Sequence, residues 1–189
     1  QDTLYGLMLA SGNDAAVAIA GECGGMTAFV GKMNAKAAEL GLTDTHFDNP
    51  NGLPSDTHYT TAHELAKITA AALKDPVFRQ IVSTKSCTVS GHALSNHNRL
   101  LSMYDGAIGV KTGFTRAAGR CLVSAAERNG RTIIAVTLND PNDWNDHREM
   151  LDAGFAQYSE VTLHKAGDTI TNARVFGGDT ASVPLIAKN

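Results

Sequence analysis

AIGVKTGFTRAAGRCLVSAAERNGRTIIAVTL, residues 107–138, decides the fold class. Ala107–Thr112 reads as a strand. Gly119–Glu127 and Thr132–Leu138 flank Asn129-Gly130, the strongest hairpin signal in the chain. Both turn residues accept the positive φ that a two-residue connection between twisted strands requires. After the hairpin, Asp143–Tyr158 reads as a helix with Met150, Leu151, Gly154, Phe155 and Tyr158 on one face. Before it the chain is mostly helical. Helices first, then antiparallel strands, then a helix is an α+β order and not the alternating βαβ of a parallel sheet.

Upstream, residues 3–10 read as the end of an apolar helix that Ser11-Gly12-Asn13 interrupts. Asn13 or Asp14 is expected to cap a second helix through about Glu22, since a short oxygen side chain accepts the orphan N–H groups of a first turn. Thr27–Leu40 carries Phe29, Val30, Met33, Ala37 and Leu40 at helical spacing and stops at Gly41. Residues 42–60 are loop, with Pro50, Asn51-Gly52 and Pro54 favouring turns. Thr61-x-x-Glu64 is a capping-box pattern opening a helix to about Lys74. Asp75-Pro76 starts a shorter helix through Ile81. Ser83–Ser90 alternates as a strand with a turn at Ser90-Gly91-His92, and 94–106 is irregular. From Val161 the character changes: Thr169–Thr171 and Arg174–Phe176 read as short strands, with turns at Gly167-Asp168 and Gly177-Gly178. The expected organisation is therefore a partial domain over 1–160 and the start of a β-rich domain over 161–189.

Composition excludes several functions. A net charge of -3 with both signs dispersed gives no basic run for nucleic acid. The apolar stretches are broken well short of membrane-spanning length. Three scattered cysteines (Cys23, Cys87, Cys121), with no C-x-x-C, read as free thiols. His58 and His63 are five apart and His63-Glu64 is not followed by x-x-His, so no zinc spacing appears and scattered surface or core histidines are the better reading. The first residue is Gln1, which looks like a processed or truncated end.

Two short motifs carry chemistry: Ser11-Gly12-Asn13 between helices and Lys111-Thr112-Gly113 on a strand. Alone, the first is a turn and the second a strand end with a solvated lysine. Their order, their separation of about a hundred residues and their contexts together resemble two of the three signatures of penicillin-binding, serine acyl-transfer proteins. The third, Ser-x-x-Lys, is absent: no Ser in the chain is followed three residues later by Lys.

Longer matches sharpen the resemblance. Leu9–Ala16, Phe29–Asn34 with Leu40-Gly41-Leu42, Asn51-Gly52-Leu53, His58–Ala62, Asn96-His97-Asn98 before Leu100-Leu101, and Gly109–Thr115 are similar to serine-type D-alanyl-D-alanine carboxypeptidases, the low-molecular-mass penicillin-binding proteins. The similarity covers about residues 1–160. It implies a penicillin-binding/β-lactamase-like transpeptidase fold, incomplete at the N-terminus, followed by the start of a small β-rich domain. It implies an extracytoplasmic enzyme that trims peptidoglycan stem peptides ending in D-Ala-D-Ala through an acyl-enzyme, is acylated by β-lactams and needs no metal or organic cofactor. This chain, without the nucleophile, is expected to be inactive alone.

Roles follow from the same resemblance. Ser11 would sit in the proton network to the leaving amine. Asn13 would contact the catalytic lysine and the substrate amide. Lys111, Thr112 and Thr115 would surround the terminal carboxylate, and Gly113 would leave room for substrate backbone. The Phe114 N–H would be one oxyanion donor. Arg148 matches a family arginine near that carboxylate, although beside Asp146 and Glu149 it reads equally as a surface ion-pair partner. Thr115 could equally cap its turn, and Asn96 and Asn98 read as loop braces. Two other readings remain: a class A-like β-lactamase fragment, against which stand the absence of Ser-Asp-Asn and of an evident Glu-x-x-x-Asn, and a non-catalytic peptidoglycan-binding module. An unpaired sheet edge predicts self-association.

Overall fold

The computed structural model describes residues 2–158 and 161–188. The chain divides into two compact units, Gln1–Gln157 and Tyr158–Asn189. The first unit runs α1 (Asp2–Ala10), α2 (Asn13–Glu22), α3 (Met26–Glu39), α4 (Ala62–Ala72), α5 (Pro76–Ser83), β1 (Ser86–Val89), β2 (His92–Ser95), α6 (Leu100–Met103), β3 (Ala107–Thr115), β4 (Gly119–Arg128), β5 (Arg131–Thr137) and α7 (Asp143–Gln157). The second contains β6 (Thr169–Arg174) and β7 (Ser182–Ile186).

The central sheet is antiparallel in the order β3-β4-β5. Asn129 and Gly130 take φ of 53° and 77°, so the expected two-residue turn closes β4 onto β5 and pairs Arg128 with Arg131. β4 is the middle strand and is buried from Leu122 to Ala126. Its alternating side chains feed two cores. Leu122 and Ala126 pack with Leu100, Tyr104, Ala135 and Leu151, the α6–α7 side. Val123 and Ala125 pack with Leu73, Val82 and Val110, where α1, α4 and α5 contribute Met8, Leu65 and Phe78. Two-sided burial of a strand explains its near-continuous apolar run.

Local chemistry sets the starts of α4 and α5. Thr61 caps α4, its side chain accepting from Glu64 N at 3.1 Å. Glu64 does not complete the capping box. Its carboxylate turns to the preceding loop, accepting from Thr43 N at 2.9 Å, Asp44 N at 3.1 Å and Thr45 Oγ1 at 2.5 Å. Asp75 caps α5 through Val77 N at 2.7 Å and Phe78 N at 3.1 Å, with Pro76 in the first turn. The expected cap on α2 does not form. The helix starts at Asn13 with Gly12 in the cap position and no side-chain cap bond, and Asp14 Oδ1 accepts only from Ala15 N. Two expectations of irregular or strand structure shift as well. Residues 92–95 are β2, pairing with β1. In the second unit the partner of β6 is Ser182–Ile186, not Arg174–Phe176. Pro184 hid that strand, because proline cannot donate to a ladder and is tolerated in strands without a second neighbour.

Candidate functional site

Leu9 ends α1 fully buried, and the chain then reverses through Ser11 at φ 56°. Few non-glycine residues occupy that left-handed region, which costs roughly 1–2 kcal/mol. Gly12 N donates back to Gly6 O at 3.2 Å, and His97 N donates to Leu9 O at 3.3 Å, so the elbow is fixed from both sides. The turn presents Ser11 and Asn13 to a cleft of about 730 Å³.

β3 forms the facing wall. Lys111, Thr112, Gly113, Phe114 and Thr115 all line the same cleft. The Lys111 ammonium donates to Ser11 Oγ, and to its own neighbour Thr112 O at 2.7 Å. The two motifs, a hundred residues apart, thus meet side chain to side chain. Burial pushes the Lys111 amine down to about 8, because no carboxylate offsets the loss of water. Phe114 is 69% exposed at the mouth. A Cβ on Gly113 would meet Cys121 Cβ at 3.7 Å, an ordinary contact. The fold itself would accept a methyl group there, so the missing side chain leaves open space in the cleft. Thr115 Oγ1 accepts from Ala118 N at 3.0 Å, which caps the turn into β4.

Arg148 is not brought to this site. It is exposed on α7, one residue past His147, and helical geometry turns consecutive side chains about 100° apart. The guanidinium that does line the cleft is Arg120, at the start of β4. It holds the buried Asp143 carboxylate with Nη2 at 2.7 Å and Nε at 3.1 Å, and its charge centre lies 5.6 Å from the Trp144 ring centroid. Gly119, at φ 69°, starts that strand because any Cβ there would collide with the Asn139 side chain. Asp143 and Trp144 belong to the first turn of α7, which is anchored below by His147. His147 is fully buried, with Nδ1 2.6 Å from Ser124 Oγ on β4 and Nε2 3.0 Å from Thr137 Oγ1 on β5. Burial pushes its pKa down to about 4, against the opposing pull of Asp143, Asp140 and Asp146.

The loop 42–60 supplies Asn51, Gly52 and Leu53 to the cleft rim. Asn49 clamps them, accepting from Leu53 N at 3.0 Å and donating to Leu53 O at 2.8 Å. Asp48 accepts from Ser55 Oγ at 2.5 Å and Thr57 Oγ1 at 2.7 Å, which hold its carboxyl below the usual range. His97, presented between Asn96 and Asn98, also lines the cleft. The two asparagines brace the loop as the sequence suggests. Asn96 Nδ2 donates to Thr84 O at 3.0 Å, and Asn98 Oδ1 accepts from Leu100 N at 3.1 Å. Arg120 and Trp144 carried no signal in the sequence, because their place in the cleft depends on tertiary packing; His97 stood only as part of the Asn96-His97-Asn98 match, with no role given to it. Among the described residues no group of three or more His, Cys, Asp or Glu is placed to hold a metal, and no helix is long and apolar enough to cross a membrane.

A family model described as D-alanyl-D-alanine carboxypeptidase matches residues 1–142. The chain is 41% identical over 173 residues to a D-alanyl-D-alanine carboxypeptidase of Streptomyces sp., covering 81% of this chain and 60% of that protein. It is 42% identical over 172 residues to D-alanyl-D-alanine carboxypeptidase DacB2 of Mycobacterium tuberculosis, covering 85% of this chain and 59% of that protein. Against DacF of Bacillus subtilis the identity is 37%, with 98% of this chain and 50% of that protein covered. The chain thus spans about half to three fifths of the length of these relatives. The crystal structure of a Streptomyces DD-transpeptidase superposes with a TM-score of 0.77 at 41% identity, covering 82% of this chain and 66% of that one. A Mycobacterium tuberculosis D-alanyl-D-alanine carboxypeptidase gives a TM-score of 0.77 at 41% identity, with 82% and 63% covered. The α+β arrangement is therefore the penicillin-binding transpeptidase fold.

Proposed function

The chain belongs to the D-alanyl-D-alanine carboxypeptidase family, and we propose that its whole protein is a serine-type enzyme that trims peptidoglycan stem peptides ending in D-Ala-D-Ala. The observation that carries this is the meeting of Ser11 and the partly desolvated Lys111 in one cleft. A serine of a Ser-x-x-Lys segment outside these 189 residues attacks the penultimate D-Ala carbonyl. The carbonyl oxygen gains the electron pair and is stabilised by the Phe114 N–H and by the nucleophile's own N–H. Collapse of the adduct expels the terminal D-Ala, whose amine takes a proton relayed through Ser11. Water then hydrolyses the acyl-enzyme. Asn13 holds the substrate amide. Lys111, Thr112 and Thr115 receive the terminal carboxylate, and that anion restores to Lys111 the charge stabilisation that burial removed. Arg148 is exposed on α7 and does not line the cleft; a role for it at the terminal carboxylate rests on the family resemblance alone.

Four further elements belong to the proposal. The enzyme works outside the cytoplasm, where its polymer is. β-Lactams acylate the same serine, since they present a carboxylate beside a strained acyl group. The 189 residues alone neither turn over substrate nor form an adduct, and they self-associate through the outer edge of β5, which is unpaired among the described residues. The second unit begins a separate β-rich domain.

Fluorescent penicillin labelling with intact-mass analysis tests the reading. The whole protein should gain one stable β-lactam mass on a Ser-x-x-Lys serine and release D-Ala from a D-Ala-D-Ala peptide. Absence of both adduct and release would sink it. Fast penicillin hydrolysis without a lasting adduct would select the β-lactamase reading. A clean monomer of the isolated chain in light scattering would remove the self-association.

A further inference from the structure

A second cavity, of about 410 Å³, has a lining unlike the first. It is walled by Lys85, Arg99, Ser86, Ser95, Ser102 and Asn98, and no acidic side chain lines it. Among the described residues, neither Lys85 nor Arg99 has an ion-pair partner, and the three serine hydroxyls make no hydrogen bond. Asn98 is 3% exposed, and its Nδ2 is buried with no partner. Its orientation is fixed, because Oδ1 accepts from Leu100 N at 3.1 Å. A buried amide donor left unmade costs roughly 1–3 kcal/mol, so such groups are met by water or a ligand oxygen.

Two cations, three hydroxyls and one amide donor around a concave space with no carboxylate are the chemistry of oxyanion recognition. We propose that this cavity binds an oxyanion, a phosphate or carboxylate group, at a site separate from the cleft. Its position gives it a consequence. Asn96 and Asn98 line this cavity while His97, between them, lines the cleft, so one loop forms a wall of both. An anion held by Lys85, Arg99 and Asn98 stiffens the loop that presents His97.

Isothermal titration of inorganic phosphate, and separately of acetate, into the whole protein at fixed ionic strength tests the site without requiring any activity. Its outcome is therefore independent of the proposed carboxypeptidase reading. Saturable binding of at least one anion is expected, weakened about tenfold or more in the double variant Lys85→Ala/Arg99→Ala, which removes two charge-assisted contacts from exposed positions. Tighter phosphate than acetate identifies a phosphoryl ligand, and the reverse a carboxylate; both uphold the site. No saturation by either anion up to about 20 mM, or equal binding by the double variant with its melting temperature unchanged, overturns it.

Discussion

Lys111 and His147 are two bases withdrawn from water beside the same sheet, one on each side of it. Burial lowers both, Lys111 to about 8 and His147 to about 4. His147 is enclosed on every side, and each ring nitrogen meets a hydroxyl, Ser124 or Thr137. Lys111 has one hydroxyl and one carbonyl for three donors, and it borders open space. The same desolvation thus yields a structural pin in one place and an accessible, under-satisfied donor in the other. The difference lies in access and in unfilled donors, not in the size of the shift. A serine beside a histidine, as at Ser124, is by itself no sign of catalysis when neither can be reached.

Substitution separates the two most sharply. Lys111→Ala in the whole protein should lower the rate of β-lactam acylation at least about a hundredfold, the usual scale for removing a group that acts on transition-state charge, while leaving the melting temperature unchanged or raised. His147→Ala should do the opposite. It opens a cavity and orphans two buried hydroxyls, so stability should fall by about 2–4 kcal/mol, whereas acylation per folded molecule stays within about threefold of wild type. Penicillin kinetics beside urea unfolding would check both. Equal loss of both properties in either variant would erase the distinction.

pH sharpens the contrast, since the two bases act in different windows. Above pH 6.5 His147 is neutral in both the folded and unfolded states. As pH falls from 6.5 to about 4 the unfolded chain takes a proton that the folded one refuses, so stability is lost, by at most roughly 3 kcal/mol from this group. His147→Gln should flatten that acid limb. Lys111 works at the alkaline end. Below pH 8 it is charged in both states and its burial cost is fully present. Between about 8 and 10.5 the folded state releases its proton first, so stability rises with pH, again by at most roughly 3 kcal/mol. Lys111→Met should remove the rise. Denaturation midpoints across both ranges would measure the two limbs.

The sequence exposes one side of this comparison better than the other. The Asn129-Gly130 hairpin, the Asp75-Pro76 helix start and the Lys111 strand were legible because their signals are local and periodic. Ser11 and Lys111 were legible as motifs, but the contact between their side chains was not. His147 looked like one scattered histidine among seven, since its partners lie on β4 and β5. Arg148 drew the carboxylate role from the family resemblance, yet the guanidinium lining the cleft is that of Arg120, whose route there runs through Asp143 on another element. Glu64 read as half of a capping box, and tertiary competition from Thr43, Asp44 and Thr45 took its carboxylate instead. What fails to show in each case is the choice among partners that only packing presents.

The smallest effect tests whether the accessible side of the comparison carries backbone strain as well as unfilled donors. Ser11 holds φ 56° at the elbow, where an L-residue pays for its Cβ and glycine does not. Ser11→Gly and Ser11→Ala both delete the hydroxyl that accepts the Lys111 hydrogen bond, so both should lose acylation rate alike. Their stabilities should differ, the glycine variant being more stable than the alanine variant by about 1 kcal/mol. Equal stability would mean that the elbow relaxes when the hydroxyl goes. The Lys111–Ser11 contact, and not the helix-to-helix turn itself, would then be what holds Ser11 in the left-handed region.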